Sequence, residues 1–216
     1  MQRVKSNIRK NTMFFNNIKV FKYSIQYPSF NSDCNKKAAE SINEFYLSLA
    51  KKKEYYCKAV LYPQAVEAAR YIQGNNPPFN YYEFHMSYTI TLNEGCIVSL
   101  YMQEYTFMGG AYAVVRTSDT WNFMTGKRML LRDLYGDAPL FKDEILKEIE
   151  YQISQRLKTS PQSFFDDYPK LLRNTFDLNG FYLTPDGIVI YFQQYDIAPY
   201  VAGLPEFLLP GKPFMP

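Results

Sequence analysis

One histidine in 216 residues, His85, leaves little room for imidazole chemistry. A Ser-His-Asp or Cys-His centre would have to be built on that residue alone. The three cysteines, Cys34, Cys57 and Cys96, lie far apart and have no second histidine to join, so no zinc site of ordinary spacing can be written. Their odd number and wide spacing predict reduced, partly buried thiols rather than a disulfide framework. No Gly-rich phosphate loop, nucleophile elbow or dinucleotide fingerprint occurs, and no cofactor or metal is expected. Long apolar runs are missing too. Met13-Phe14-Phe15 is cut off by Asn16 and Asn17, too short for a membrane span or a signal-peptide core. As it stands the sequence predicts a cytoplasmic location; an extracytoplasmic one follows if a leader has been removed. There is no internal repeat and no low-complexity tract.

What the chain does have is aromatic mass. Phe, Trp and Tyr make up 18% of it, with 20 Tyr and 17 Phe. A large core accounts for most of them, since these side chains dominate burial; an aromatic binding surface is the other use. Mean hydropathy of −0.33 fits a globular protein that buries a sizeable core. The net charge of +3 hides an asymmetry: residues 1–60 hold 12 Lys and Arg against 4 Asp and Glu, the remainder 12 against 17. No nucleic-acid motif accompanies the basic third, so nucleic acid is not expected as a partner.

Residues 1–17 are polar and basic and predict a flexible tail. Ile18–Tyr27 reads as a strand stopped by Pro28. Ser32 or Asp33 can cap a helix with Ala38, Ile42, Phe45, Leu49 and Tyr56 at helical spacing. Leu61, Ala65, Ala68 and Ile72 mark a second helical piece, with Pro63 in its first turn or at a kink. Residues 74–78 are a break. From Tyr82 to Leu92 apolar and polar residues alternate, the pattern of a strand with one buried face. Asn93-Glu94-Gly95 turns it into Cys96–Thr106, and a third strand spans about Tyr112 to Phe123. Phe141, Ile145, Ile149 and Ile153 form the stripe of an amphipathic helix. Ser160-Pro161 has the pattern of a further helix start. Strands bunch at 79–130 and after 180 with helices between. The fold class is therefore α+β, a mostly antiparallel sheet with helices packed on it. Two small, intimately packed subdomains are expected, 18–106 and 107–216.

The most ordered stretch is FYLTPDGIVIYFQQYDIAPYVAGLPEFLLP, residues 181–210. Thr184-Pro185-Asp186-Gly187 has turn chemistry between two strands. Ile188–Gln194 is apolar on both faces, which predicts a central strand covered on both sides. Gln193 to Gly203 is a polar, proline-punctuated loop, and Leu204–Leu209 a last strand. The run from Phe181 to Phe207 resembles the signature of a bacterial domain family of unknown function. That domain ends the lysozyme-sensing anti-sigma factor RsiV and is appended to some peptidoglycan deacetylases. Weaker similarity at Ile18–Tyr105 and Trp121–Leu134 extends the resemblance over nearly the whole chain. It implies binding at the cell envelope rather than a shared chemistry.

Candidate ligand contacts fall in two places. Gly109, Gly110 and Tyr112 belong to a Gly-Gly-Ala loop that serves as a structural bulge or as a ligand contact. In the resembled family His and Gly commonly follow it, where Tyr112 and Ala113 stand here. Gln193, Gln194, Tyr195, Asp196 and Tyr200 match the family's most characteristic loop. Their amides and phenols suit sugar hydroxyls or backbone amides, or else pin the loop by satisfying buried groups. His85 sits on the wet face of its strand. Asp186, Asp196, Glu104 and Glu206 are the carboxylates from which a glycosidase pair would be drawn, whereas Asp166-Asp167 reads as a helix cap. The resulting expectation is a non-catalytic sensing module whose partner is a lysozyme-like protein or a peptidoglycan fragment. The alternatives are a peptidoglycan hydrolase and a cytoplasmic relative with no envelope partner.

Overall fold

Asn35, not Ser32 or Asp33, caps the first helix: its side-chain oxygen accepts the Ala38 N–H at 3.2 Å. Ser32 instead accepts the N–H of Cys34 at 3.1 Å. The computed structural model describes residues 1–73, 79–110, 112–135 and 140–210. In it α1 (Lys36–Tyr56) runs through a π turn at Cys57–Leu61 into α2 (Tyr62–Gln73). Pro63 explains that turn. It has no N–H to give to the preceding turn, and the Tyr62 N–H reaches back five residues to the Cys57 carbonyl. The buried stripe is Ala38, Ala39, Ile42, Tyr46 and Ala50, continued by Cys57, Leu61, Ala65 and Ala69.

This helical arm lies on a six-stranded sheet whose strands follow sequence order: β1 (Arg3–Phe15), β2 (Ile18–Asn31), β3 (Tyr82–Glu94), β4 (Ile97–Phe107), β5 (Tyr112–Asn122) and β6 (Lys127–Arg128). Neighbours are antiparallel except β2 and β3, which are parallel because the helices form the crossover between them. Residues 1–17, expected as a flexible tail, instead contain the edge strand β1 and the turn that follows it. β1 pairs with β2 along its whole length, and Asn16 and Asn17 make the turn at φ of 47° and 62°. A second correction concerns the thiols. Cys34 and Cys96 form a disulfide with Cα atoms 6.0 Å apart, and among the described residues only Cys57 is free, and buried. The sheet brings the start of α1 beside the β3–β4 turn, a neighbourhood that a gap of 62 residues conceals.

A second antiparallel sheet, β7 (Phe181–Thr184), β8 (Gly187–Tyr191) and β9 (Glu206–Pro210), has β8 at its centre. All five residues of β8 are buried, as apolar side chains on both faces require. Ile188 and Ile190 pack towards α3 (Phe141–Thr159) and α4 (Tyr168–Thr175), while Val189 and Tyr191 join Tyr182 against Tyr101 of β4. The order of layers is thus helices, large sheet, small sheet, helices. Leu92 belongs to the second core because the register shift between Ile90 and Leu92 turns it to the other face of β3. Ser160-Pro161 starts no helix; the chain becomes helical at Tyr168, with Pro169 in the first turn. The α+β class read from the sequence is borne out. The break at 74–78 and Ala111 lie outside the described residues.

Candidate functional site

β6 covers only Trp121 and Asn122, so the even-numbered residues of β5 before them turn N–H and C=O groups to an open edge. The loop that follows β8 closes part of that edge with side chains. The Gln194 Oε1 accepts the Val114 N–H at 2.9 Å. Gln193 serves Arg116 twice: its Oε1 accepts the N–H at 2.9 Å and its Nε2 donates to the C=O at 2.7 Å. The Tyr200 hydroxyl donates to the Tyr112 carbonyl at 2.9 Å. The two glutamines therefore stand in for a missing strand. Asp196 is turned inward as well, its Oδ2 accepting the Gln193 N–H at 2.8 Å. Burial, with the charge of Asp177 as a lesser contributor, raises its carboxyl above the ordinary value despite that bond.

Tyr195 is the member of the loop left facing water. It is 62% exposed, holds a φ of 67°, and its ring centroid lies 5.9 Å from that of Tyr200. Val201 beside them is 92% exposed. Tyr112, exposed at the start of β5, packs its ring 5.0 Å from Phe107. Gly109, at φ 86°, and Gly110 belong to the turn that leads into Tyr112, so both sets of candidates meet at one end of β5. Nothing crowds Gly110, and a Cβ on Gly109 would meet only the Tyr82 ring, at 3.6 Å.

The remaining candidates do not assemble. His85 Nε2 lies 2.8 Å from the Glu83 carboxylate on a half-exposed strand face. Burial pushes the Glu83 carboxyl up, but His85, Tyr81 and Lys22 outweigh it and hold the group below its usual value. Glu104 pairs with Lys53 of α1 at 2.7 Å, on the helical face of the large sheet. Glu206 pairs with Arg116 between the two sheets, and Asp186 sits in the β7–β8 turn. Asp167 occupies the capping position before α4 but makes no side-chain capping bond. Among the described residues no group of three His, Cys, Asp or Glu side chains could hold a metal ion.

Sequence reasoning passed over Arg116, which is 7% exposed. Besides Glu206, its guanidinium donates to Gln103 Oε1 at 3.2 and 2.8 Å and lies 4.1 Å from the Tyr101 ring centroid. Burial pushes the neighbouring Tyr191 hydroxyl up to about 12 and, with Glu206 adding to it, raises Tyr182 as well. An arginine on the strand face that meets the small sheet is the one sequence signal of this network, and it requires knowing that a second sheet packs there. Beyond Arg116 the edge of β5 floors a cleft of about 430 Å³, lined by Phe45, Leu49, Ser118, Arg128, Asn179 and Tyr191 among others.

Residues 132–212 match the model of a protein family of unknown function (DUF3298), and residues 16–114 match a model described as deacetylase PdaC. The chain thus joins a PdaC-like region to a DUF3298 region, which bears out the resemblance read from residues 181–207. The Gln194–Val114 bond ties the end of the first region to the second. A DUF3298 family member from Bacteroides fragilis NCTC 9343 shares the fold, with a TM-score of 0.69 at 16% identity over 97% of this chain and 90% of that one. A second, from Pseudomonas aeruginosa PAO1, gives 0.58 at 14% identity over the same shares. No curated protein is significantly similar in sequence.

Proposed function

We propose that the chain is a non-catalytic binding module of the cell envelope that meets its partner with the loop 193–203 and the neighbouring Tyr112. The observation behind this reading is the state of Tyr195. A tyrosine at φ 67° is in a sparsely populated, disfavoured region, yet its ring is spread on the surface rather than buried. The bonds of Gln193, Gln194, Asp196 and Tyr200 hold it there, so an exposed aromatic contact is preorganised at little entropy cost to binding. The disulfide supports the compartment, because such bonds persist in oxidising surroundings. Among the described residues no helix is long and apolar enough to cross a membrane. The partner in this reading is a lysozyme-like protein or a cell-wall glycan, as in the family resembled.

The test is direct titration of the purified chain with a C-type lysozyme at low and moderate salt, with soluble muropeptides in parallel. Saturable lysozyme binding that Tyr195→Ala weakens at least tenfold supports the sensing role. Binding to muropeptides alone assigns a wall-glycan module. Silence with both overturns the proposal.

A further inference from the structure

The edge of β5 reopens beyond the glutamine clamp. At one end Gln193 occupies the main chain of Arg116; at the other the Met129 N–H donates to the Thr120 carbonyl at 2.7 Å. Between them Ser118 points its N–H and C=O away from β4, and among the described residues neither has a partner. From Arg116 to Thr120 the strand spans about 13 Å, and this length floors the 430 Å³ cleft. Phe45 and Leu49 of α1 form one wall, and Asn179, Phe181 and Tyr191 the other. Arg128 stands near Thr120, its Nε 2.9 Å from Asp119 Oδ1 and its guanidinium 4.4 Å from the Phe45 ring centroid. Asp119 is the one carboxylate that pairs with it among the described residues.

We propose that this opening binds an extended segment of another polypeptide by strand addition to β5, with a small residue opposite Ser118 and an acidic residue at Arg128. Gln193 supplies the precedent two residues away, offering one acceptor to the Arg116 N–H and one donor to the C=O. A residue in an antiparallel strand offers the same pair. The trans amide of an N-acetyl sugar does not, because its N–H and C=O point in opposite directions. The residue opposite Ser118 shares its face, where the Tyr191 hydroxyl lies 3.1 Å from the Ser118 Oγ, so only Gly or Ala fits there. Its neighbours turn to the other face, one towards Phe45 and Leu49 and one towards the guanidinium of Arg128. This site is separate from the loop 193–203, and its failure would leave the reading of that loop standing.

The experiment is an NMR titration of the ¹⁵N-labelled chain with acetyl-Leu-Ala-Glu-amide and with the reversed acetyl-Glu-Ala-Leu-amide. An antiparallel strand places the residue before the alanine on the Thr120 side, beside Arg128. The expected result is therefore saturable shifts centred on the Ser118 and Thr120 amides with acetyl-Glu-Ala-Leu-amide alone. N-methylation of its alanine, which removes the donor for the Ser118 carbonyl, should weaken binding at least tenfold. Replacing its Glu by Gln should weaken binding several-fold in the parent chain and not in Arg128→Gln. Ser118→Pro, tolerable where the N–H faces away from the partner strand, should abolish binding with an unchanged far-UV spectrum. No shift at Ser118 up to millimolar peptide, or equal affinity for the N-methyl peptide, overturns the proposal. So does saturation of the same amides by chitotriose in place of either peptide.

Discussion

Gln193 meets Arg116 through two hydrogen bonds, and both of its ends go to main chain rather than to the guanidinium. The pairing imitates a strand with one side chain, so the loop after β8 and the strand β5 become a single unit. Removing the amide leaves the Arg116 N–H unsatisfied and its C=O with only the long bond from the Tyr191 hydroxyl, at 3.5 Å. Gln193→Ala should therefore destabilise the fold by about 2–3 kcal/mol, and Gln194→Ala, which removes one bond, by about 1 kcal/mol. Urea denaturation of the two variants gives the comparison. Equal midpoints for both would show that water replaces the amide of Gln193 without loss.

The disulfide closes a loop across 62 residues. Chain entropy alone assigns such a link about 4 kcal/mol, and measured values are commonly about 2–4 kcal/mol. Reduction, or Cys34→Ser with Cys96→Ser, should lower the denaturation midpoint accordingly. Alkylation of the unreduced chain should label one thiol, Cys57, and only after unfolding, because it is buried. Three labelled thiols without reductant would mean that the bond is not formed.

Much of this architecture was legible in local pattern. The two-sided burial of β8, the alternation in β3 and the stripe of α3 follow from the apolar spacing of Ile188–Tyr191, Phe84 and Met86, and Ile145–Ile153. What was not legible depends on distant neighbours. A basic, polar β1 looks like a tail until β2 is there to pair it; Asn16-Asn17, suited to positive φ, was the local clue. Cys34 and Cys96 become partners only through the sheet. In the site, the loop residues were visible as a cluster, but their direction was not. Gln193 and Gln194 face inward because β5 lacks a neighbour strand at that point, a fact of topology rather than of residue type, and Asp196 turns in to hold the Gln193 N–H.

Gly187 is required by geometry at the β7–β8 turn. Its φ is 143°, and a Cβ there would lie 2.5 Å from the Leu209 carbonyl oxygen. That contact is backbone of the paired strand β9 and cannot swing away. Gly187→Ala should destabilise by about 2–3 kcal/mol, whereas Gly110→Ala, with open space around it, should change little. Thermal melts of the two variants provide the contrast, and similar melting temperatures would contradict it.

Glu54 gathers Lys58 at 2.8 Å, the Tyr23 hydroxyl at 2.8 Å and Arg9 at 2.5 Å. With Lys58 foremost, and against the burial that opposes them, these partners hold its carboxyl at about 2. In the unfolded chain the value returns to about 4.3. The folded state then holds fewer protons across that interval. The contribution is complete above the unfolded value and is lost as pH falls through the folded one. Glu54→Gln should flatten the stability profile between about pH 4.5 and 2, read by denaturation at several pH values. An unchanged slope in the variant would assign the acid sensitivity to other carboxylates.

Tyr195 sets stability against binding in one residue. Its φ of 67° disfavours any side chain with a Cβ, whereas glycine adopts it freely. Since the ring is 62% exposed, removing it gives up little burial. Tyr195→Gly should leave the fold as stable or raise its stability by about 0.5–1 kcal/mol, while weakening the partner contact proposed for this loop. Tyr195→Ala should weaken that contact equally but keep the strained backbone, and so fall below the glycine variant in melting temperature. Paired melting and binding measurements on the two variants separate the effects. If glycine melts lower than alanine, the left-handed conformation at Tyr195 is not under strain.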